Sequence, residues 1–226
     1  MERHYREEFG LAGSWLYPCG AVDAPVYAGP PEPRAGARFT LGFAGTITDG
    51  YAKALRMAAA ALEPIGGEII AYSSQNPRSM DRLGLRLSNI RIKPLVPYRQ
   101  LLEEFRQIAD VLFLPLSFLS QDRVRMVTSF QSKLADYSLT GLPILIFGPA
   151  YASAVQWARD NPGVAEVVDR EDPATLEKTL DRICRDRLLR SQLANKALEI
   201  GRHYFAHSTA WKVFAAAINT LQIPVH

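Results

Sequence analysis

From Phe39 onward the sequence alternates short apolar runs with amphipathic stretches, and that alternation leaves few folds open to it. Residues 39–44 form an apolar run closed by Gly45, and residues 68–73, 90–94, 111–115, 143–147 and 165–168 form five more. Runs this short, bounded by Gly and Pro, read as buried strands. Between them the spacing predicts helices over residues 51–62, 98–108, 133–139 and 150–159, and three closing helices over 173–186, 188–203 and 209–221. Leu101, Leu102, Phe105 and Ile108 line one side of the second helix, and Leu176, Leu180 and Ile183 form a core stripe on a later one. Strict alternation implies parallel pairing with helices packed on both faces. The expected fold class is therefore α/β, a Rossmann-like parallel sheet. Such sheets bind ligands beyond the carboxyl ends of their strands, where strand order reverses. The loops after Phe43, Tyr72, Lys93, Leu114, Phe147 and Val168 accordingly carry the candidate chemistry.

Residues 1–38 have a different character. A short polar helix over 4–9 precedes a brief strand over 14–18, and residues 24–37 are dense in Pro, Gly and Ala. That composition holds neither helix nor ladder, so it reads as a linker or a surface-hugging arm. The domain proper is expected over residues 39–226.

Of the 226 residues, 48% are hydrophobic, enough for one domain with a real core. The formal net charge of +3 gives no nucleic-acid footprint. The charged start does not resemble a signal peptide, and no apolar run suits a membrane span. Cys19 and Cys184 are far apart and in no metal-ligand spacing, which favours a reduced, cytoplasmic compartment. Association with the inner face of a membrane stays open.

Two segments could bind phosphate. The loop from Gly45 to Lys53 joins the first strand to a helix start, where a glycine admits a phosphate to the backbone and amides face outward. The same residues also make an ordinary tight turn, since neither the dinucleotide fingerprint nor the phosphate-loop pattern is present. The second segment carries Ser132, Lys133 and Asp136, with Gly141 and Pro143 as stop signals. Ser132 is positioned to cap a helix whose first turn holds Lys133, and Asp136 follows one turn later, within reach of a ribose diol. No metal is called for, because amides and lysine supply the countercharge.

This segment resembles the signature helix of the family 4 glycosyltransferases, which are built from two Rossmann-like domains, the GT-B fold. Asp136, Tyr137, Gly141 and Pro143 fall on the family's second acid, the hydrophobic position after it, the glycine and the proline. Residues 42–45 resemble the strand and loop that open the family's carboxyl-terminal domain, residues 107–115 its Ala-Asp-containing strand, and Asp172-Pro173 its late Asp-Pro. The resemblance covers about residues 39 to 221. It implies a retaining glycosyltransferase acting in glycan or polysaccharide biosynthesis, with a nucleotide diphosphate sugar of UDP or GDP type as substrate and no cofactor. Asp136 would hold the ribose, Gly45, Thr46, Lys53, Ser132 and Lys133 the diphosphate, and Val96 the base. Thr128 stands where the family has its first acid, and Thr46 where it has a basic residue. Thr128 and Lys133 are the candidate catalytic positions. Residues 1–38 would be the remnant of a preceding acceptor domain and its linker, leaving the acceptor domain, and a glycan or lipid acceptor, as absent partners. Two other readings stay open: a degenerate sugar-nucleotide-binding module and a GT-B-type nucleotide-sugar epimerase.

Arg123 and Arg125 lie in what reads as a solvated loop beside this site. His203 and His207 share a helix face but lack an acidic partner for a metal. Trp15, Trp157 and Trp211 read as core or interface packing.

Overall fold

The apolar runs form the strands β1 (Thr40–Ala44), β2 (Glu68–Tyr72), β3 (Ile90–Lys93), β4 (Val111–Pro115), β5 (Ile144–Phe147) and β6 (Glu166–Val168). In the computed structural model, which describes residues 2–10, 16–21, 24–34 and 36–220, they make one sheet in the order β3-β2-β1-β4-β5-β6. Every pairing is parallel. Strand order reverses between β1 and β4, which meet in the register Leu41↔Val111 and Gly42↔Leu112.

The helices are α1 (Glu2–Phe9), α2 (Asp49–Leu62), α3 (Pro77–Arg82), α4 (Tyr98–Ile108), α5 (Arg123–Thr128), α6 (Lys133–Ser138), α7 (Ser153–Asp160), α8 (Pro173–Arg185), α9 (Arg187–Tyr204) and α10 (His207–Thr220). The period-two alternation of the strands sorts them into two layers. Leu41, Phe43, Ile69, Val111, Phe113, Leu145 and Phe147 face α2 and α8, where Leu176, Leu180 and Ile183 are fully buried. Ile70, Tyr72, Leu112, Leu114, Ile144 and Ile146 face α4, α6, α7 and α9. Each large side chain so buried contributes about 1.5–3 kcal/mol. A Cβ at Gly42 would lie 2.9 Å from both Phe105 and Leu112, so the missing side chain lets α4 approach β1. Asp172 and Asp186 start α8 and α9 by accepting bonds from backbone amides two or three residues on.

Three local features depart from expectation. Ser14 and Trp15 of the expected first strand lie outside the described residues, and Leu16–Pro18 form no ladder. The Tyr17 ring packs instead against Phe130, Tyr204 and Phe205. The expected loop around Arg123 contains α5, held by the Thr128 hydroxyl donating to Val124 O at 2.8 Å. Residues 77–82 form α3, opened by Asn76, whose side chain accepts from Ser79 N. Trp157 is buried, whereas Trp211 on α10 is 61% exposed.

Residues 24–34 hug the domain as an arm. Arg106 stacks 4.0 Å from the Tyr27 ring and donates to Gly29 O, Arg202 donates to Tyr27 O, and Arg34 pairs with Asp110. Gly141, at φ +72, lets this happen: a Cβ there would lie 2.9 Å from Gly29 O and 3.0 Å from Arg106 Nη1.

Candidate functional site

The site lies where strand order reverses, at the carboxyl end of β1. Gly45 closes that strand at φ +136, a value that side-chain-bearing residues rarely adopt, and its amide donates to Tyr72 O. Above it lies Lys133. A Cβ on Gly45 would come within 2.6 Å of Lys133 Cε and 2.9 Å of its Nζ. The contact is fixed from below by Tyr137, one turn along α6, whose hydroxyl accepts from Ala44 N at 3.1 Å in a fully buried setting. That bond fastens α6 to the last residue of β1, and so carries Lys133 over the glycine that follows.

The Lys133 ammonium sits 5.7 Å from the Phe43 ring centroid and 5.9 Å from that of Tyr51, an aromatic cradle suited to a cation. Burial pulls its pKa below the ordinary lysine value, and Asp136 partly opposes this. Asp136 is the mirror case. Burial raises its carboxyl, against the opposing influence of Tyr98 and Lys133. The Tyr98 hydroxyl, at the start of α4, is raised by burial and by the Asp136 carboxylate beside it. Lys133 and Asp136 are thus each held toward neutrality by the protein interior, and an anion at Lys133 or a hydrogen-bond donor at Asp136 would stabilise their charged forms.

Of the residues expected from sequence, Gly45 and Lys133 are in contact, with Asp136 electrostatically coupled to Lys133. Thr46 is exposed beside them, and Val96 is half-buried against the α4 and α6 layer. Ser132 is exposed, but its hydroxyl caps nothing, because its backbone is already helical at φ −56 and ψ −28 where a capping residue is extended. Lys53 is turned away: α2 packs along α8, and its ammonium engages Glu171 rather than the first loop. The Thr128 hydroxyl is engaged by Val124 O at the end of α5. Arg125 pairs with Asp122, and Arg123 lies 4.1 Å from the Tyr151 ring. Cys19 and Cys184 are free thiols, and the described residues hold no cluster of three or more His, Cys, Asp or Glu placed for a metal.

Sequence reasoning missed the cradle. Phe43 reads as an ordinary core residue of a strand and Tyr51 as one of a helix, and only the fold turns both rings toward Lys133. Gln131 was also missed: its side chain accepts from the Tyr51 hydroxyl at 3.3 Å, tying the segment before α6 to α2. Tyr98 carried one legible signal, its place directly after Pro97 at the end of the β3 loop.

No family model and no curated relative matches the sequence. Solved structures do match the fold. Sucrose-phosphate synthase of Thermosynechococcus elongatus superposes with a TM-score of 0.70 at 14% identity, over 97% of this chain and 56% of that one. The HepE protein of Anabaena, solved in complex with UDP-glucose, gives 0.60 at 14% identity, over 81% of this chain and 49% of its own. The carboxyl-terminal domain of a group 1 family glycosyl transferase (LpcC) of Francisella tularensis gives 0.53 at 13% identity, over 79% of this chain and 89% of that domain. The chain spans about half the length of the first two and most of the length of the isolated carboxyl-terminal domain. With its switch-point order and its glycine-closed first strand, the chain has the fold of the carboxyl-terminal, Rossmann-like domain of the GT-B glycosyltransferases.

Proposed function

We propose that this chain is the donor-binding half of a retaining glycosyltransferase and holds a nucleotide diphosphate sugar at the carboxyl ends of β1 and β4. The observation that carries this reading is the Lys133 ammonium poised over the side-chain-free backbone of Gly45, with Asp136 one turn further along α6. The diphosphate lies against Gly45, Thr46 and Lys133, the ribose diol on the Asp136 carboxylate, and the base near Val96. Departure of the nucleotide diphosphate develops charge on its terminal phosphate, and Lys133 stabilises that charge from a partly desolvated position, where an ion pair is stronger than in water. The acceptor comes from a second domain across the cleft, so this chain alone binds donor without transferring it. Among the described residues no helix is long and apolar enough to cross a membrane. From the sequence, we propose a cytoplasmic location, with a glycan or lipid acceptor at or near the inner membrane face.

A binding module without transfer is the second reading, and Thr128 favours it. At the position of the family's first acid stands a hydroxyl engaged with its own helix backbone.

Calorimetric titration with UDP, GDP, ADP and dTDP tests the donor site. Selective binding of one nucleotide, weakened by about 1–3 kcal/mol in Asp136→Ala, is expected. Absence of binding by folded protein would overturn the reading. Donor hydrolysis then separates a transferase from a module that only binds.

A further inference from the structure

The opposite end of the sheet holds a cavity of about 260 Å³ between the arm and α9. Its walls are arm residues 30–34, the segments that lead into β4 and β5, and the side chains of Arg106, Arg187 and Arg190. Asp110 and Pro143, which also line it, precede β4 and β5, so the cavity opens at the amino ends of those strands. The donor site lies at their carboxyl ends, about 15 Å away at the rise of a five-residue strand.

Four guanidinium groups, from Arg34, Arg106, Arg187 and Arg190, meet two carboxylates here, from Glu32 and Asp110. Asp110 is already engaged, accepting from Thr40 N at 2.8 Å and from Arg34. Arg106 donates to Gly29 O and Thr140 O, and Arg190 to Ile183 O and Cys184 O. Carbonyl oxygens occupy donors but leave the positive charge uncancelled. Burial correspondingly pulls the Arg106 guanidinium below its ordinary value. Arg34 Nε is buried with no hydrogen-bond partner. Arg187, at the first position of α9, has no ion pair or hydrogen bond among the described residues. The apolar part of the wall includes Pro30, Pro31, Pro33, Leu142 and Pro143.

We propose that this cavity is a second ligand site, taking a compact phosphate or phosphate monoester and distinct from the nucleotide site. Guanidinium donors match phosphate oxygens in pairs, and a net excess of two positive charges beside an apolar wall suits a dianion with a small carbon skeleton. The cavity's volume of about 260 Å³ lies below the roughly 300–1,000 Å³ usual for small-molecule sites, which favours a compact anion over a nucleoside diphosphate. Bound there, the anion bridges the arm to α9 and fastens the arm to the sheet. Arm tethering alone does not account for the site, because Arg187 contacts none of the arm carbonyls that Arg106 and Arg202 hold.

The test is calorimetric titration with inorganic phosphate and with glycerol 3-phosphate at constant ionic strength, on wild type, Arg187→Ala and Lys133→Met. The expected result is saturable binding by wild type, weakened about tenfold or more in Arg187→Ala and unchanged in Lys133→Met. Stronger binding of one probe distinguishes a free ion from an ester. Arg187 is exposed and α9 is capped by Asp186, so the variant is expected to fold, and a thermal melt verifies this. No saturable binding to wild type, equal affinity in Arg187→Ala, or loss in Lys133→Met would each overturn the proposal. The last outcome would assign the anion to the donor site.

Discussion

Lys133 and Gly45 occupy complementary halves of one contact: the ammonium and its last methylene fill the space that a side chain on residue 45 would need. Gly45→Ala therefore adds a Cβ where backbone and neighbour both resist it, at φ +136 and within 3 Å of the lysine. A loss of about 1–3 kcal/mol in urea denaturation is expected, together with weaker nucleotide binding as Lys133 is displaced. Unchanged stability and unchanged affinity would show that the lysine does not rest on this glycine.

Tyr137→Phe removes the acceptor for Ala44 N without changing shape. The amide is then buried unsatisfied at the end of β1, at a cost of about 1–3 kcal/mol. Because the same bond sets the position of α6, nucleotide affinity should fall along with the denaturation midpoint. A midpoint shift with affinity intact would make the bond purely structural.

The two lysines expected from sequence to hold the diphosphate, Lys133 and Lys53, separate cleanly. Lys133→Met is expected to weaken nucleotide diphosphate binding more than tenfold. Lys53→Met breaks only a half-exposed pair with Glu171, so stability should change by about 1 kcal/mol or less and affinity should not change. Titrating both variants with the preferred nucleotide gives the comparison, and equal losses would restore Lys53 to the site.

Asp136 gives the pH dependence its sign. Its folded pKa is raised by burial, so the folded state holds a proton that the unfolded chain releases. Stability from this group is fully present below the ordinary aspartate value and is lost as pH rises through the raised one. Nucleotide binding at the proposed site, where the carboxylate would hold the ribose, is expected to run the other way and weaken as pH falls through the raised pKa. Asp136→Asn should flatten both limbs in paired melting and binding series between about pH 4 and pH 8, at fixed salt near 0.1 M where the Debye length is about 10 Å. Parallel limbs in wild type would contradict the assignment.

What the sequence disclosed followed from periodicity. The six strands and the stripe of Leu176, Leu180 and Ile183 were legible because alternation and helical spacing act locally. Lys133 and Asp136 were legible because they share one helix. The cradle of Phe43 and Tyr51 was not, since it depends on three separate elements converging. Lys53 was misplaced because sequence spacing says nothing of which helix face packs on α8. The Asn76-Pro77 start of α3 was written in the sequence and passed over, whereas the arginine-lined cavity depends on the path of the arm and had no local signature.

The join between β1 and β4 has a kinetic consequence. β1, β2 and β3 follow one another along the chain, as do β4, β5 and β6, so each half can assemble from neighbours near in sequence. Within the sheet they are united by the pairs Leu41–Val111 and Gly42–Leu112, and this join closes a long loop before its contacts reward it. Refolding should therefore be limited by this one encounter. Because Lys133 follows β4 and Gly45 follows β1, the proposed nucleotide site cannot form before that encounter, and ligand binding would report on its completion.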